Sequence, residues 1–344
     1  MKILSLVDKF KGTLDSLTIG TIIKERLQVK GHEVDFLCMS DGGDGYLSAI
    51  GYNGKYNTII TNCTDILGKK IQVSYLLDNK DCYIESAMIV GKSVDETKNI
   101  YNASSKGLGM VIKDAYDKGA RNFYIGLGGT LSNDGGRGML EELGFSFFDN
   151  QVKYTGYLPL EQLNFIAISD VNNHLLGKNG ATYVYSLQKG ATEEDLPILE
   201  KRMEQFSNII TKYLNKDYSN IDGAGAAGGI GFAIISLLKG KIIRGIDFII
   251  DHYMIDDIID KYDYIITGEG KIDNQSLNGK VVFELAKRYK NKKFIVICAI
   301  SEINIEKIDN IERIYSIVPD IASINDSYNS PKESLIKLID TIKI

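Results

Sequence analysis

Residues 126 to 140 read Gly-Leu-Gly-Gly-Thr-Leu-Ser-Asn-Asp-Gly-Gly-Arg-Gly-Met-Leu, and no other stretch constrains the fold as much. The apolar run Phe123-Tyr124-Ile125 before it has strand character, while Met139, Leu140 and Leu143 after it have helical spacing. The segment is therefore predicted to be a strand-to-helix turn, the connection from which α/β folds are built and beside which they bind ligands. Its glycines allow positive φ and close approach of the backbone to a ligand. Ser132, Asn133 and Asp134 can cap the following helix and leave its first N–H groups facing an anion. Asp134 would repel a bare phosphate, but it would help to hold one that carries a divalent cation. The plainer alternative is a glycine-rich turn whose polar residues only cap a helix.

A chain of 344 residues is expected to form two domains, and 44% hydrophobic with 25% charged residues is ordinary for a soluble globular protein. The net charge of −5 and the scattered lysines speak against nucleic acid or an anionic membrane as partner. No apolar run approaches the roughly 18 to 20 residues of a membrane helix, and the N-terminus passes straight into a strand, Lys2 to Val7, so a cytoplasmic protein is expected. Cys38, Cys63, Cys82 and Cys298 have no close pairing and are expected to be reduced and mostly buried. His32, His174 and His252 stand apart in sequence, which argues against a histidine metal cluster.

The design of the central turn recurs along the chain. Asp8-Lys9-Phe10-Lys11-Gly12 follows the first strand and precedes a helix over about Ser16 to Gln28; Asp8 and Lys11 there suit a metal and an anionic group. Ser40-Asp41-Gly42-Gly43-Asp44-Gly45 follows the strand Val34 to Met39. If a helix begins at Gly42, Asp41 and Asp44 point the same way; otherwise Asp41 is a plain N-cap and Asp44 a first-turn partner of the helix dipole. Thr58 to Thr61, Ile71 to Leu77 and Cys82 to Ser86 are predicted as an antiparallel excursion that opens a second domain near residue 60. Ser104 and Ser105 stand at the start of a helix that runs through Ala115, where hydroxyls most often only cap. Phe165 to Ser169 is predicted as a strand ending in Asp170 and Asn172, and Tyr183 to Ser186 as another ending in Gln188-Lys189-Gly190. Glu193 to Tyr213 is predicted as a long amphipathic scaffold helix.

Gly223-Ala-Gly225-Ala-Ala-Gly228 matches a dinucleotide fingerprint, with Asp247 at the expected distance, but the polar segment before it supplies no strand. Tyr264 to Thr267 is predicted as a strand leading into the loop Gly268 to Ser276, with Gly279-Lys280 opening the next helix; Phe294 to Ala299, Ile314 to Val318 and a last helix from Pro331 to about Ile342 complete an alternating pattern. The predicted fold is α/β with two domains. Residues 1–62 and 258–344 form a doubly wound, Rossmann- or flavodoxin-like domain; residues 63–257 form an inserted mixed α/β domain, and the active site is expected in the cleft between them.

The loops combine carboxylates, glycine, lysine and asparagine, and none pairs a histidine with a nucleophilic serine or cysteine, so triad hydrolysis is disfavoured. Lysines for phosphate oxygens, carboxylates for Mg²⁺ and amides at helix N-termini are the components of phosphoryl transfer. A Walker A motif is absent: Gly91-Lys92-Ser93 has its tail, but Ser86 stands where the first glycine belongs. The protein-kinase motifs are absent as well.

Asp8 to Gly12, Ser40 to Gly45, Gly128 to Gly136, Ser169 to Leu175, Gln188 to Ala191, Gly223 to Gly229 and Gly268 to Ser276 together resemble, in the same order, the motifs of the type 1 glycerate kinases. The resemblance implies ATP-dependent, Mg²⁺-assisted phosphorylation of D-glycerate, favours the 2-hydroxyl as acceptor, and places the Gly223 segment in a kinase pattern. Departures are Lys9 for a serine, His174 and Leu187 for prolines, and Asn278 for an arginine before Gly279-Lys280.

On this reading Asp170 is the candidate base, with Lys11 and Lys280 as catalytic cations. Asp8, Asn133, Asn172, Lys189, Ser104 and Ser105 are the candidates for substrate contacts. Gly128, Gly129, Gly135, Gly136, Gly225 and Gly228 are expected at nucleotide phosphates, and Asp41, Asp134, Glu269 and Asp273 at the metal. ATP is the expected co-substrate, and the oligomeric state is open between monomer and homodimer. Two rivals remain: an NAD-linked oxidoreductase acting on a small hydroxy acid, and a non-catalytic sensor of phosphorylated metabolites.

Overall fold

The computed structural model describes residues 1–91, 99–148, 151–273, 281–303 and 309–344. In chain order its strands are β1 (Lys2–Val7), β2 (Glu33–Cys38), β3 (Asn57–Thr64), β4 (Lys70–Asp78), β5 (Asp81–Glu85), β6 (Asn122–Gly126), β7 (Phe145–Phe148), β8 (Gln151–Tyr154), β9 (Asn164–Ile168), β10 (Lys241–Ile243), β11 (Tyr264–Ile272), β12 (Lys293–Ser301) and β13 (Ile311–Val318). They belong to two compact units. One comprises Met1–Asp41, Ser48–Asn53 and Ile246–Ile344, and the other Gly42–Leu47 and Gly54–Gly245.

The first unit is a five-stranded parallel sheet in the order β13-β12-β11-β1-β2. Both alternating sets of β1 side chains, Ile3 and Val7 on one face and Leu4 and Leu6 on the other, are buried, as parallel strands covered on two sides require. Helix Ser16–Val29 starts at an Asp15 cap whose carboxylate accepts from the Thr18 amide at 2.6 Å, and it packs with helix Pro331–Thr341 over Ile3, Val7 and Ile266. β11 continues to Ile272, so Gly268-Glu269-Gly270 lies in a strand and not in the predicted loop. The reason is a tight ladder: a Cβ on Gly268 would sit 2.2 Å from the Ile297 carbonyl oxygen of β12.

The second unit has a six-stranded mixed sheet, β10-β9-β6-β5-β4-β3, in which β5, β6, β9 and β10 run parallel while β3, β4 and β5 pair antiparallel. A separate hairpin pairs β7 with β8. Because β3 already belongs to this sheet, the unit starts ahead of residue 63, and from Ile246 onward, not 258, the chain is in the first unit.

Two local expectations are corrected. Tyr183 to Ser186 is not a strand; residues Ala181–Tyr185 form a helix, followed by a 3-10 turn over Leu187–Lys189. Tyr-Val-Tyr has strand propensity, but Thr182 and Ser186 are buried while Val184 is exposed, the i, i+4 face of a helix and not the alternation of a strand. The helix after the second loop begins at Tyr46, not Gly42, so Asp41 and Asp44 precede it and do not share a helical face.

Candidate active site

In the first unit β1 leads to β2 on one side while β11 leads to β12 on the other, so the C-terminal ends of the adjacent strands β1 and β11 form a switch point where α/β sheets bind ligands. Asp8 stands there, its amide donating to the Gly268 carbonyl at 3.0 Å and its carboxylate accepting from the Lys9 amide at 2.7 Å. Burial pushes the Asp8 carboxyl up to about 7 although the residue as a whole is only half-buried; Asp41 adds to the rise, Lys9 opposes it, and Glu269 adds a smaller increment. Lys9 donates to Asp41 Oδ1 at 3.1 Å, so the residue that departs from the family pattern supplies the cluster with a cation. Glu269 is buried within β11. Asp8, Asp41 and Glu269 are thus electrostatically joined. Asp273 faces Lys271 at 3.8 Å, and Lys11 is exposed. Lys280, Asn278 and Gly279 lie outside the described residues, as do Lys92 and Ser93.

Among the described residues no three histidine, cysteine or carboxylate side chains converge closely enough to hold a metal by themselves. Mg²⁺ would need only one or two carboxylates, the rest of its shell coming from water and substrate phosphates. Burial first and the Asp41 carboxylate second disfavour the Asp8 charge, so a cation accepted beside Asp8 and Asp41 would relieve an existing penalty.

In the second unit the expected roles divide differently. Asp134 accepts from the amides of Ser105 at 2.8 Å, Gly136 at 3.0 Å and Gly138 at 3.1 Å, and from the Ser105 hydroxyl at 2.8 Å. Ser105 Oγ in turn accepts from the Met139 amide at 2.9 Å, and Ser104 Oγ accepts from the Lys106 amide at 3.2 Å. Burial raises the Asp134 carboxyl, and these bonds pull it back. Asp134, expected at a metal, and Ser104 and Ser105, expected at substrate, therefore tie together the starts of helices Lys106–Asp117 and Arg137–Leu143.

The glycines also have protein neighbours. A Cβ on Gly135 would lie 2.7 Å from Phe206 Cδ1, one on Gly136 2.5 Å from Ala233 Cβ, and one on Gly128 2.4 Å from Gly43 Cα. Gly129 is crowded by Asp44 Oδ1 at 2.6 Å, Gly225 by the His174 carbonyl oxygen at 2.2 Å and Gly228 by the Ser132 carbonyl oxygen at 2.0 Å. Residues 227 to 229 run left-handed and lock onto the central turn, with the Gly135 amide donating to Gly228 O at 3.0 Å. Each of these glycines is thus demanded by close packing against protein, whatever else it meets.

Lys189 is the exception to this structural economy. It is 5% exposed, and its ammonium donates to the Ser132 carbonyl at 2.8 Å. Burial lowers its titration to about 8, with Asp134 pulling the other way. Nearby, Ser132 Oγ, Asn133 Oδ1 and Ser186 Oγ are buried and have no hydrogen-bond partner among the described residues, while Asn133 Nδ2 reaches Thr182 Oγ1 at 3.3 Å. Such atoms are normally satisfied by water or a ligand. Thr182 and Ser186 were missed because the strand reading hid them.

Asp170 directly follows β9 and Ser169, and its Oδ1 accepts from the Gly245 amide at 2.8 Å. Leu127, which begins the central turn, donates to Ile168 O at 2.8 Å, so the two sequence-predicted loops are neighbours. Asn172 is exposed, whereas its neighbour Asn173 is held by Tyr185 Oη, which donates to its Oδ1 at 2.6 Å, and by the Asn179 carbonyl, which accepts from its Nδ2 at 2.7 Å. Glu85, unflagged by the sequence motifs, ends β5 and accepts from the amides of Gly45 at 3.1 Å and Leu47 at 3.0 Å, fixing the second acidic loop.

The sequence profile of the Glycerate kinase family matches residues 3–159 and 154–343, nearly the whole chain. The chain belongs to the glycerate kinase family. Relatives within it include the Haemophilus influenzae glycerate kinase, 31% identical with 99% of this chain and 98% of that one covered, and the Bacillus cereus glycerate kinase, 31% identical with 97% and 95% covered. The Escherichia coli glycerate 2-kinase is 28% identical over 98% of this chain and 96% of its own length. A crystal structure from Salmonella typhimurium LT2, described as a candidate glycerate kinase 2, superposes with a TM-score of 0.82 at 28% identity, covering 99% of this chain and 96% of that one. Membership accounts for Gly223 to Gly229 without a dinucleotide, and no strand precedes that segment, so the NAD reading is not favoured.

Proposed function

We propose that the protein transfers the γ-phosphoryl group of ATP to the 2-hydroxyl of D-glycerate with the help of Mg²⁺. Family membership supports the kinase chemistry and ATP as co-substrate, and the E. coli relative's name favours the 2-position. The observation that carries the substrate assignment is the buried Lys189 ammonium near Ser132 Oγ, Asn133 Oδ1 and Ser186 Oγ, polar atoms that have no hydrogen-bond partner among the described residues and can accept one from a ligand. A small acid with two hydroxyls supplies such partners: its carboxylate suits the ammonium and its hydroxyls the side-chain oxygens. Asp170, oriented by the Gly245 amide, accepts the proton of the reacting hydroxyl. Asp8 and Asp41 would hold Mg²⁺ together with water and the phosphates, and the ion would neutralise phosphate charge when bound.

The test is turnover of D-glycerate with ATP and Mg²⁺ coupled to enolase, which consumes 2-phosphoglycerate directly. A signal without added mutase supports both reaction and position. ADP formation whose signal needs mutase moves the transfer to the 3-hydroxyl. Tight binding of the substrates without ADP formation would replace the kinase by a sensor. Asp170→Asn should lower kcat by at least about a hundredfold in a folded enzyme, and a near-normal kcat removes Asp170 from the base role.

A further inference from the structure

Helix Ala181–Tyr185 and the 3-10 turn Leu187–Lys189 place Thr182, Ser186 and Lys189 at i, i+4 and i+7; all three are buried, while Val184 and Leu187 between them are exposed. This polar wall is fixed by its surroundings. The Ala181 amide donates to the carbonyls of His174 and Leu175, each at 3.1 Å, and the amides of Lys189 and Ala191 donate to the Ser186 carbonyl, each at 3.0 Å. Tyr185 Oη donates to Asn173 Oδ1 at 2.6 Å. Thr182 Oγ1 is therefore a stationary acceptor, and Asn133 Nδ2 donates to it at 3.3 Å. That bond commits the nitrogen of the amide to the protein. It leaves Asn133 Oδ1, buried and without a hydrogen-bond partner among the described residues, as the atom offered to a ligand. An amide oxygen only accepts, so a ligand satisfies it with a hydroxyl and not with a carboxylate or a carbonyl.

We infer that Thr182 is a positioning residue for substrate choice: by orienting the Asn133 amide, it makes the site read the hydroxyl that does not react. The inference rests on the phosphoryl transfer proposed above, in which the glycerate carboxylate goes to Lys189 and the 2-hydroxyl gives its proton to Asp170. The 3-hydroxyl is then the donor to Asn133 Oδ1. D-Lactate, the same acid with a methyl group at that carbon, keeps the first two partners and strands the buried oxygen. Sites built around a hydrogen bond to a hydroxyl reject the analogue that lacks it, because the protein atom is left desolvated and unpaired.

The test compares turnover of D-glycerate with its competitive inhibition by D-lactate in the wild type, Thr182→Val, Thr182→Ser and Asn133→Ala. Valine keeps the shape of threonine without the acceptor, and serine keeps the acceptor. In the wild type the D-lactate Ki should exceed the D-glycerate KM at least about tenfold. Thr182→Val should lower kcat/KM for D-glycerate at least about tenfold and leave the D-lactate Ki within about twofold, while Thr182→Ser should recover kcat/KM to within about threefold of wild type. Asn133→Ala should show the same one-sided loss, and it serves where the valine variant does not fold, because it removes the N–H that needs Thr182 together with the reading atom. General damage to packing would weaken both ligands. Equal weakening of both by Thr182→Val, no change in either, or a wild-type D-lactate Ki equal to the D-glycerate KM overturns the role of Thr182 while glycerate turnover stands. If the wild type does not turn over D-glycerate, the reading of the Lys189 cluster fails and this inference fails with it.

Discussion

Replacing Lys189 by methionine should separate function from stability. Lys189 is 5% exposed and titrates near 8 instead of at its ordinary 10.5 because burial disfavours the ammonium. At about 1.4 kcal/mol per pH unit, the fold disfavours that charge by ~3 kcal/mol. Methionine has similar volume and no charge, so the substitution relieves this term. It forfeits the charge-assisted bond to the Ser132 carbonyl, which contributes about 1.5–3 kcal/mol. The two nearly cancel, and Lys189→Met is expected to lie within about 2 kcal/mol of the wild type at pH 7 while losing at least about a hundredfold in kcat/KM for glycerate. The folded amine titrates below the unfolded one, so between pH 8 and 10.5 the unfolded chain binds more protons and wild-type stability rises with pH. Urea unfolding of both proteins across pH 7 to 10.5 should show the wild type gaining up to ~3 kcal/mol on the variant in that window and nothing below it. A difference that stays constant over the whole range, or a variant too unstable to fold at pH 7, would refute the assignment of Lys189 as a desolvated, substrate-facing cation.

Asp8 has the opposite sign: its folded titration near 7 lies above its ordinary 3.8, so its contribution is present in acid and lost as pH rises through 7. Asp8→Asn should therefore gain stability over the wild type between about pH 4 and pH 7, and Mg²⁺ binding near pH 6.5 should release a proton from the wild type only; calorimetry in buffers of different ionisation enthalpy reads this, and identical proton counts in both proteins contradict it. Asp134→Ala strands four donors at two helix starts and should cost about 3 kcal/mol or more, seen as a fall in Tm; an unchanged Tm would remove its structural role. Gly135→Ala forces a Cβ to 2.7 Å from Phe206 at φ +68° and should destabilise by about 1–3 kcal/mol even without ligand, whereas a loss confined to nucleotide affinity would return this glycine to the phosphate role.

Local pattern carried much of this protein. β1 was legible from Lys2 to Val7 because a fully buried parallel strand is a continuous apolar run, and the three antiparallel segments β3 to β5 were legible from their turn residues. The residue types of phosphoryl transfer were legible too, since the motifs after β1, β2, β6 and β9 supply the carboxylates, lysine or amides that the chemistry uses. Tyr183 to Ser186 was misread because local propensity there is overruled by the burial of Thr182 and Ser186. Three matters were decided only by the tertiary structure. A glycine's sequence signal is the same whether a phosphate or a carbonyl comes close, and here the neighbours of Gly225 and Gly228 are carbonyl oxygens. A carboxylate's signal is the same whether it faces a metal or four amide and hydroxyl donors, and Asp134 faces the donors. A lysine's signal is the same in water or in the core, and only packing puts Lys189 where its charge is costly and therefore chemically useful. The sequence by itself determined which groups the protein has to work with; desolvation and close packing, which depend on residues distant in the chain, determined which of them are available to a ligand.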